Sequence, residues 1–433
     1  MKKCVVIGGG FAGLTAAAYL SNAGHSVELI EASPKLGGRA YSFQDRSTGD
    51  VIDNGQHIMM GCYKETLKFL SMIGASGNIE IQKQLDVIFL KKNYQLFHLK
   101  ASSAPYPFNL LSALLHFTAL SRTNRLSILK FFLKIFLVHP DRLKSLSVKQ
   151  WLQIELQNEE TIKSFWEILT VGALNTSTEK ASAKIFSDVL KEIFFKGAKS
   201  ALIILPLKSL SETYCGQAAN YLLKNDGIIS LSEKVESLIF DVEKVVAIKT
   251  DKRVVENFDF VVAAVPFYAL KKLGVAEILP ELNFNYSTIV SIHLWLDINP
   301  LEDKFYGLID SMIHWIFNHG KHITLVMSNA DYLSMRDKKE ILEIALMELE
   351  KFTPIKRQDV ISSKIIKEKR ATFVPLNDLI DKRPSSRTKI KNLFLSGDWT
   401  DTGLPSTIES AVKSGRTAAE LIIDACKASE FES

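Results

Sequence analysis

The beginning of the chain constrains the fold more than any other stretch. The apolar run at residues 3–7 predicts a buried strand, the small side chains of 14–22 predict a helix, and residues 27–31 predict a second strand. Gly8, Gly10 and Gly13 lie between the first strand and the helix. This spacing gives a tight turn, close approach of the backbone to a pyrophosphate and close packing of helix on strand. With Phe11 and Ala12 at the helix start, the unit is predicted to bind a nucleotide.

The residues after the second strand indicate the kind of nucleotide. Glu31, followed by Ala32, ends that strand, where a carboxylate can accept hydrogen bonds from ribose hydroxyls and would repel a 2′-phosphate. Gly37 and Gly38 then give access to the backbone, and Arg39 can neutralise a phosphate. An ordinary turn is the alternative interpretation of this glycine pair.

A second region near the other end of the sequence fits the same ligand. Gly397 and Asp398 end an apolar strand, and a helix follows after Pro405. Asp398 can hydrogen-bond a ribityl chain; the alternative is a helix cap. The sequence contains no second GxGxxG motif, so no separate NAD(P)H-binding fold is expected. One long ligand that contacts both regions is expected, and FAD fits this description.

Composition excludes several other classes of protein. The chain has 433 residues, of which 47% are hydrophobic and 23% charged, as in ordinary globular proteins with more than one domain. Its four cysteines are far apart and form no CxxC pair, which argues against a disulfide scaffold and favours a reducing compartment. No cluster has metal-ligand spacing, so no metal is expected.

The basic residues are concentrated in one part of the chain. Residues 81–150 hold eleven Lys and Arg but two acidic residues, whereas the whole chain has a net charge of +5. The same segment is rich in Phe and Leu, a combination that favours an anionic membrane surface over nucleic acid. No apolar run reaches the roughly 18–20 residues that span a bilayer. We expect a cytoplasmic protein whose segment 107–138 contacts the inner face of the membrane peripherally; the alternative is a core helix.

Strand-rich and helix-rich blocks interleave along the chain, which predicts discontinuous domains. The predicted fold class is α/β, with a Rossmann-type, glutathione-reductase-like FAD-binding domain and a mixed sheet-plus-helix substrate domain. We assign residues 1–80, 215–270 and 388–433 to the FAD-binding domain. Residues 81–214 and 271–387 are assigned to the substrate domain.

Several motifs together resemble those of a known superfamily. The stretches VVIGGGFAGLTAAAYL, GGRA, DFVVAAVP and LSGDW, with the acid at Glu31, are similar to the flavin amine oxidase and phytoene desaturase superfamily. More narrowly, DNGQH, LTVGALNTSTEKASAKIFSDVL and GDWTDTGLPSTIESAVKSGRTA resemble the hydroxysqualene dehydroxylases, squalene-associated flavoproteins of bacterial hopanoid synthesis. This resemblance covers essentially the whole chain.

The resemblance implies a reductive reaction on an apolar isoprenoid. Hydroxysqualene would lose its allylic hydroxyl and receive a hydride from reduced FAD, and a donor of unidentified chemistry would reduce the flavin. A carotenoid-type desaturase, another flavin amine oxidase and a non-catalytic lipid escort are the alternatives. Retention of the complete set of nucleotide motifs argues against the escort.

The superfamily position of residues 55–58 implies that they pass beside the flavin ring. His57 is the first candidate for a proton donor, and Gln56, between Gly55 and Ile58, is expected to orient the flavin or the hydroxyl. The alternative for His57 is a structural histidine. Asp401 is a second acid candidate, with a turn residue as the alternative.

Further residues are assigned in the same way. Thr407 and Ile408 match a stretch that contacts the flavin through its backbone, and Val235 matches a position where the backbone meets adenine. Asn175 interrupts a helical stretch and is expected to line the substrate site or to cap the helix. His293 and Trp295 share one face of a predicted strand and line either an apolar tunnel or the core.

Overall fold

Strand-rich and helix-rich blocks follow one another in residues 1–275, 279 and 281–431, the part of the chain that the computed structural model describes. The strands, numbered in chain order, are β1 (Lys3–Ile7), β2 (Ser26–Ile30), β3 (Ser42–Gln44), β4 (Val51–Asp53), β5 (Met59–Met60), β6 (Ile79–Ile81), β7 (Asp86–Lys91), β8 (Gln95–Lys100), β9 (Ile203–Pro206), β10 (Ile228–Ser230), β11 (Val235–Asp241), β12 (Lys244–Thr250), β13 (Val254–Val255), β14 (Phe260–Ala263), β15 (Tyr286–Leu296), β16 (Phe305–Leu308), β17 (Trp315–Asn318), β18 (His322–Met327), β19 (Val360–Phe373) and β20 (Leu393–Leu395).

The α-helices are α1 (Phe11–Asn22), α2 (Lys64–Met72), α3 (Phe108–His116), α4 (Arg122–Lys134), α5 (Pro140–Leu143), α6 (Val148–Ile154), α7 (Glu159–Thr161), α8 (Glu167–Leu174), α9 (Ala183–Phe194), α10 (Gly216–Lys224), α11 (Phe267–Leu270), α12 (Lys338–Leu349) and α13 (Ile408–Phe431). Shorter turns of other helix types lie at Ser76–Asn78, Ile162–Trp166, Ala198–Ala201, Ser211–Cys215, Lys271–Leu273, Asp331–Leu333, Arg357–Asp359 and Asn377–Leu379.

A parallel sheet with the strand order β10-β2-β1-β14-β20 positions the nucleotide motifs. Strands β1 and β14 are apolar and buried, as parallel strands covered on both faces must be. Helices α1 and α13 pack so closely on one another that a Cβ on Gly415 would lie 2.3 Å from the Ala12 carbonyl oxygen. The strand order reverses between β1 and β14, and in sheets of this kind the ligand crevice lies outside the carboxyl ends at that point.

A second sheet, with the order β19-β15-β18-β17-β16-β7-β8, separates two cores. Its neighbours pair antiparallel except β16 with β7. Side chains alternate between its faces: Phe89 and Phe317 join the helical core around Trp151, while Ile88 and Ile316 pack towards α12. The fold-class prediction is confirmed: a Rossmann-type parallel sheet accompanies a mixed sheet with helices.

The sequence missed several strands. Strands β7, β8, β16, β17 and β19 of the mixed sheet were not predicted from the sequence, and neither was β9. Strand β9 pairs with β5 and β6, so a strand from the proposed substrate segment joins strands from the proposed FAD segment. The division into domains stays a prediction.

The segment 107–138 forms α3 and α4, two separate helices. Helix α4 buries Ile128 and Phe131, so this face belongs to the core. Within the described residues, no helix combines the length and the apolar character needed to cross a membrane.

Candidate cofactor and active site

The turn after β1 leaves no room for side chains at two of its glycines. Gly8 has a φ of +108°, and a Cβ there would lie 2.5 Å from the carbonyl oxygen of Ala264 at the end of β14. A Cβ on Gly13 would lie 1.9 Å from the Gly8 carbonyl oxygen. Both distances are far below van der Waals contact. The first and third glycines of the motif therefore serve the backbone packing that the sequence analysis assigned to them.

The start of α1 offers unpaired donors to an anion. The first hydrogen bond of the helix runs from the Leu14 N–H to the Gly10 carbonyl at 2.9 Å. The N–H groups of Phe11, Ala12 and Gly13 precede that bond, and Gly10 has no side chain to cap them. Such a helix start, at the reversal point of a parallel sheet, is suited to a pyrophosphate. The backbone here fits the phosphates of FAD.

The carboxylate of Glu31 is held in place by the backbone on both sides. Its two oxygens accept hydrogen bonds from the Gly9 N–H at 2.6 Å and from the Ser33 N–H at 2.7 Å. A carboxylate has about four lone-pair sites, so two remain for ribose hydroxyls. The structure thus fixes Glu31 beside the glycine turn, with Ala32 next to it; contact with ribose stays a prediction.

Arg39 and Asp398 form an ion pair that the sequence analysis did not foresee. Arg39 Nη2 lies 2.6 Å from Asp398 Oδ1, and Arg39 Nη1–H donates to the Ala371 carbonyl at 2.9 Å. The second carboxylate oxygen of Asp398 accepts a hydrogen bond from the Ser406 hydroxyl. The two residues expected to contact phosphate and ribityl groups therefore lie side by side. Their roles towards those groups stay predictions.

Three further hydrogen bonds fix the loops around this ion pair. Asn54 donates to the Arg39 carbonyl at 2.9 Å and accepts from the Tyr41 N–H at 3.0 Å. Gly38 approaches Gly10 so closely that a Cβ on Gly38 would lie 3.1 Å from the Gly10 Cα. At the other side, the Gly397 N–H donates to Ser414 Oγ at 2.8 Å. The GGR loop, the glycine turn and the end of β20 thus meet in one place.

His57 does not have the protonation state of an acid. Its Nδ1–H donates to the Gly55 carbonyl at 3.0 Å, because a carbonyl only accepts. Burial lowers the pKa of His57 to about 4, and the nearby charge of Arg39 acts in the same direction. At neutral pH the ring is therefore neutral and Nε2 is an acceptor. This geometry argues against the predicted proton-donor role of His57. Gln56 and Ile58, on either side of it, are half-buried, and the roles predicted for them stay predictions.

Asn175 has a structural role, which corrects its assignment to the substrate site. It ends α8 in the left-handed conformation, with a φ of +47°. Its amide donates to Thr372 Oγ1 at 3.0 Å and to the Ser287 carbonyl at 3.4 Å, and its oxygen accepts from the Asn329 N–H at 2.7 Å. Because its side chain is buried and engaged in these bonds, Asn175 ties the helix to β15, β19 and the loop after β18.

Asp401 is also corrected. Its side chain is 59% exposed and lies 3.9 Å from the guanidinium of Arg383, which itself is buried. Arg383 in turn donates to the Leu404 carbonyl at 2.8 Å. The alternative interpretation, a residue of the turn, describes Asp401 better than a catalytic acid.

His293 and Trp295 share a face, as predicted, and that face belongs to the core. The Trp295 indole N–H donates to Asp50 Oδ2 at 2.8 Å, and His293 Nδ1 lies 2.9 Å from the Thr324 hydroxyl. His322 stacks on Trp295 with a centroid distance of 5.2 Å. Of the two alternatives, the structure fits the core rather than the lining of a tunnel, since these side chains are buried against one another.

The three backbone-contact candidates occupy the ends of secondary-structure elements. Val235 begins β11. It lies two residues after Glu233, whose N–H donates to the Glu31 carbonyl at 3.0 Å. Thr407 accepts from the Ser410 N–H at 3.2 Å, and Ile408 begins α13. Both places lie next to the loops described above, so backbone contact with FAD stays the prediction for all three residues.

A cavity of about 670 Å³ lies beside the ion pair of Arg39 and Asp398. Its walls combine aromatic with basic side chains, which are Tyr268, Tyr286, Phe373 and Trp399, and Lys338, Lys364, Lys367, Lys369 and Arg370. None of these cavity residues was predicted as a site residue from the sequence. Pro266 and Tyr268 could have been found, because they follow the carboxyl end of β14 at the same edge as Gly8. The basic residues on β19 could not, because that strand was not predicted.

The parallel sheet, the side-chain-free turn and the uncapped helix start define an FAD-dependent oxidoreductase. A family profile described as "Flavin containing amine oxidoreductase" matches residues 11–423, and the chain belongs to that family. Within the described residues, no group of three or more His, Cys, Asp or Glu side chains is placed to hold a metal ion.

Named relatives agree with the resemblance seen in the motifs. The chain is 27% identical to a hydroxysqualene dehydroxylase of Zymomonas mobilis, over 98% of this chain and 99% of the relative. It is 29% identical to a hydroxysqualene dehydroxylase of Rhodopseudomonas palustris, over 99% of this chain and 100% of the relative. Among solved structures, an oxidoreductase from Methanosarcina mazei superposes with a TM-score of 0.73 at 18% identity, over 96% of this chain and all of the other.

Proposed function

We propose that the protein reduces hydroxysqualene to squalene. The observation that carries this proposal is the similarity to proteins named hydroxysqualene dehydroxylase, which extends from end to end of both chains. The likeness to solved structures supports the fold alone. The oxidoreductase class is settled by the family; the substrate is the proposal.

The reaction breaks one C–O bond and forms one C–H bond. When bound, reduced FAD supplies a hydride, and is itself oxidised. The leaving hydroxyl takes up a proton and departs as water. The protein has to orient the allylic carbon, supply a hydrogen bond to the leaving oxygen and exclude other water from the site.

Tyr286 is the side chain best suited to donate to the leaving oxygen. It lines the cavity, and burial raises the pKa of its phenol to about 12, with the charge of Asp398 acting in the same direction. The O–H is therefore retained across the neutral range. His57 is neutral, and its Nε2 is an acceptor. It is therefore suited to accept a hydrogen bond from the substrate hydroxyl rather than to donate one to it.

The test is product analysis under anaerobic conditions. The purified protein, with FAD reduced chemically, is incubated with hydroxysqualene, and squalene is measured by gas chromatography. We expect squalene in the amount of flavin oxidised. A parallel incubation of oxidised enzyme with phytoene tests the desaturase alternative. Failure to form squalene, or desaturation of phytoene with flavin reduction, would overturn the proposal.

Two variants separate the roles of the polar residues. Tyr286→Phe should retain FAD and lose roughly 10²–10³-fold in rate, the loss typical of removing one positioned hydrogen-bond donor to a developing negative charge. His57→Gln, which keeps an acceptor, should be affected less than His57→Leu. Equal rates for Tyr286→Phe and the wild type would remove Tyr286 from the mechanism without affecting the substrate assignment.

A further inference from the structure

The outer face of α4 carries large apolar side chains in solvent. While Ile128 and Phe131 point into the core, Leu126, Lys130 and Leu133 follow one another at helical spacing on the opposite face. Leu137, just beyond the helix, continues the stripe. Leu133 is 71% and Leu137 82% exposed, so the fold does not use them for its own core.

A neighbouring element extends this surface. Lys134 Nζ lies 3.2 Å from Glu155 Oε2, which places the end of α6 beside the end of α4. Ile154 and Leu156, on either side of Glu155, are exposed, Leu156 by 83%. The exposed Phe136 packs edge-on against Phe195 with a centroid distance of 4.7 Å. We call this surface the apolar patch: Leu126, Leu133, Phe136, Leu137, Ile154 and Leu156.

The charges around the patch are mainly basic. Residues 117–140 contain Arg122, Arg125, Lys130 and Lys134 and neither Asp nor Glu. Two acids beside α4 are already engaged: Glu155 pairs with Lys134, and Glu160 accepts a hydrogen bond from Asn124 at 3.0 Å. A second copy docking through the same surface would bring two such basic segments together, which is unfavourable. An anionic partner satisfies both the charge and the apolar side chains.

We propose that this patch docks the protein on an anionic phospholipid bilayer. Helix α4 would lie along the surface, with the patch among the acyl chains and the basic residues at the headgroups. Its thirteen residues are too few to span the membrane. The inference rests on this surface alone and does not depend on the identity of the substrate.

The first experiment measures sedimentation with vesicles of phosphatidylcholine, with and without phosphatidylglycerol. The wild type should sediment with the anionic vesicles, and less so in high salt. Leu133→Ser with Leu137→Ser should lower the partition coefficient about tenfold or more, because two apolar side chains no longer enter the bilayer. Ile298→Ser with Met347→Ser is the matched control, since both of these residues are exposed elsewhere.

The second experiment tests the charge. Lys130→Glu should weaken binding to the anionic vesicles about 25-fold, because each charge near the surface is worth a factor of about five. Lys339→Glu, at an exposed position on α12, should bind like the wild type. The flavin absorbance of each variant confirms that it is folded.

Three outcomes would overturn the proposal. The wild type could fail to sediment with anionic vesicles, or the Leu133 and Leu137 variant could sediment like the wild type. Light scattering could also show a dimer that the same variant dissociates, without vesicle binding, which would assign the patch to a second copy. None of these results bears on the conversion of hydroxysqualene in detergent, so the proposed function is tested separately.

Discussion

Buried histidines should make the stability of this protein depend on pH, and His293 allows a quantitative test. Burial lowers the pKa of His293 from 6.5 to about 3, and the neighbouring His322 and His319 lower it further. Below pH 6.5 the unfolded chain therefore binds a proton at this residue that the folded protein does not. The stabilisation is fully present above 6.5 and is lost as the pH falls from there towards 3.

The size of the effect follows from the shift. One pKa unit corresponds to about 1.36 kcal/mol, so a single group of this kind lowers the free energy of unfolding by roughly 1.5 kcal/mol between about pH 6.5 and about pH 5. His293→Asn removes the titrating ring and keeps a polar atom near the Thr324 hydroxyl. Guanidinium denaturation, followed by tryptophan fluorescence at both pH values, measures the difference.

Over this pH interval, the free energy of unfolding should fall more for the wild type than for His293→Asn. We expect the two decreases to differ by roughly 1.5 kcal/mol. The variant also loses packing, but that loss is common to both pH values and cancels. His116→Asn is the control for the exchange of a histidine for asparagine, because the His116 ring is exposed. The same pH dependence in His293→Asn and the wild type would refute the reasoning.

Further predictions concern the cofactor and the packing around it. Gly13→Ala should be purified without flavin absorbance, because its Cβ would lie 1.9 Å from the Gly8 carbonyl oxygen; a yellow variant would contradict this. Glu31→Ala should weaken FAD binding by roughly 1–3 kcal/mol in a fluorescence titration, and an unchanged titration would show that Glu31 does not reach the ribose. Glu409→Ala should lower the free energy of unfolding by roughly 1–3 kcal/mol, since this buried carboxylate accepts from the N–H groups of Glu65 and Thr66 at 2.9 Å; an equal denaturation midpoint would argue against it. Acid precipitation should release FAD into the supernatant, because no Cys or His adjoins the GDW loop, whereas a coloured pellet would indicate a covalent bond.

Local patterns were enough to predict the nucleotide-binding part of the fold. Residues 3–31 contain a strand, a glycine turn, a helix and a strand in immediate succession, and both the pairing of β1 with β2 and the packing of Gly13 on Gly8 join residues close in sequence. The mixed sheet was harder. Strand β19 lies at a sheet edge beside the cavity, and its apolar residues are interrupted by serines and by the charged residues 367–370, so its sequence lacks a continuous apolar run.

The candidate site shows the same limit. The break after α8 was visible in the sequence, but the partners of Asn175 lie 112, 154 and 197 residues away, so its structural role was not. Arg39 and Asp398 were each recognised as site residues, yet their pairing joins positions 359 residues apart. The protonation state of His57 could not be predicted from the sequence either. It depends on burial and on a hydrogen bond to the Gly55 carbonyl, both of which exist only in the folded chain.

The order of strands in the parallel sheet also governs when the protein can acquire its flavin. During synthesis the glycine turn leaves the ribosome well before the strand that closes the sheet, β20, and the helix that packs on α1, both of which follow β14 in the chain. Until then the β14 edge is open and Arg39 has no carboxylate to pair with. Between the synthesis of β14 and that of β20, the nascent chain therefore holds an open sheet edge that is prone to aggregation. Loading of the cofactor is expected to follow the closing of this edge, and its yield in a cell should depend on chaperones as well as on the supply of flavin.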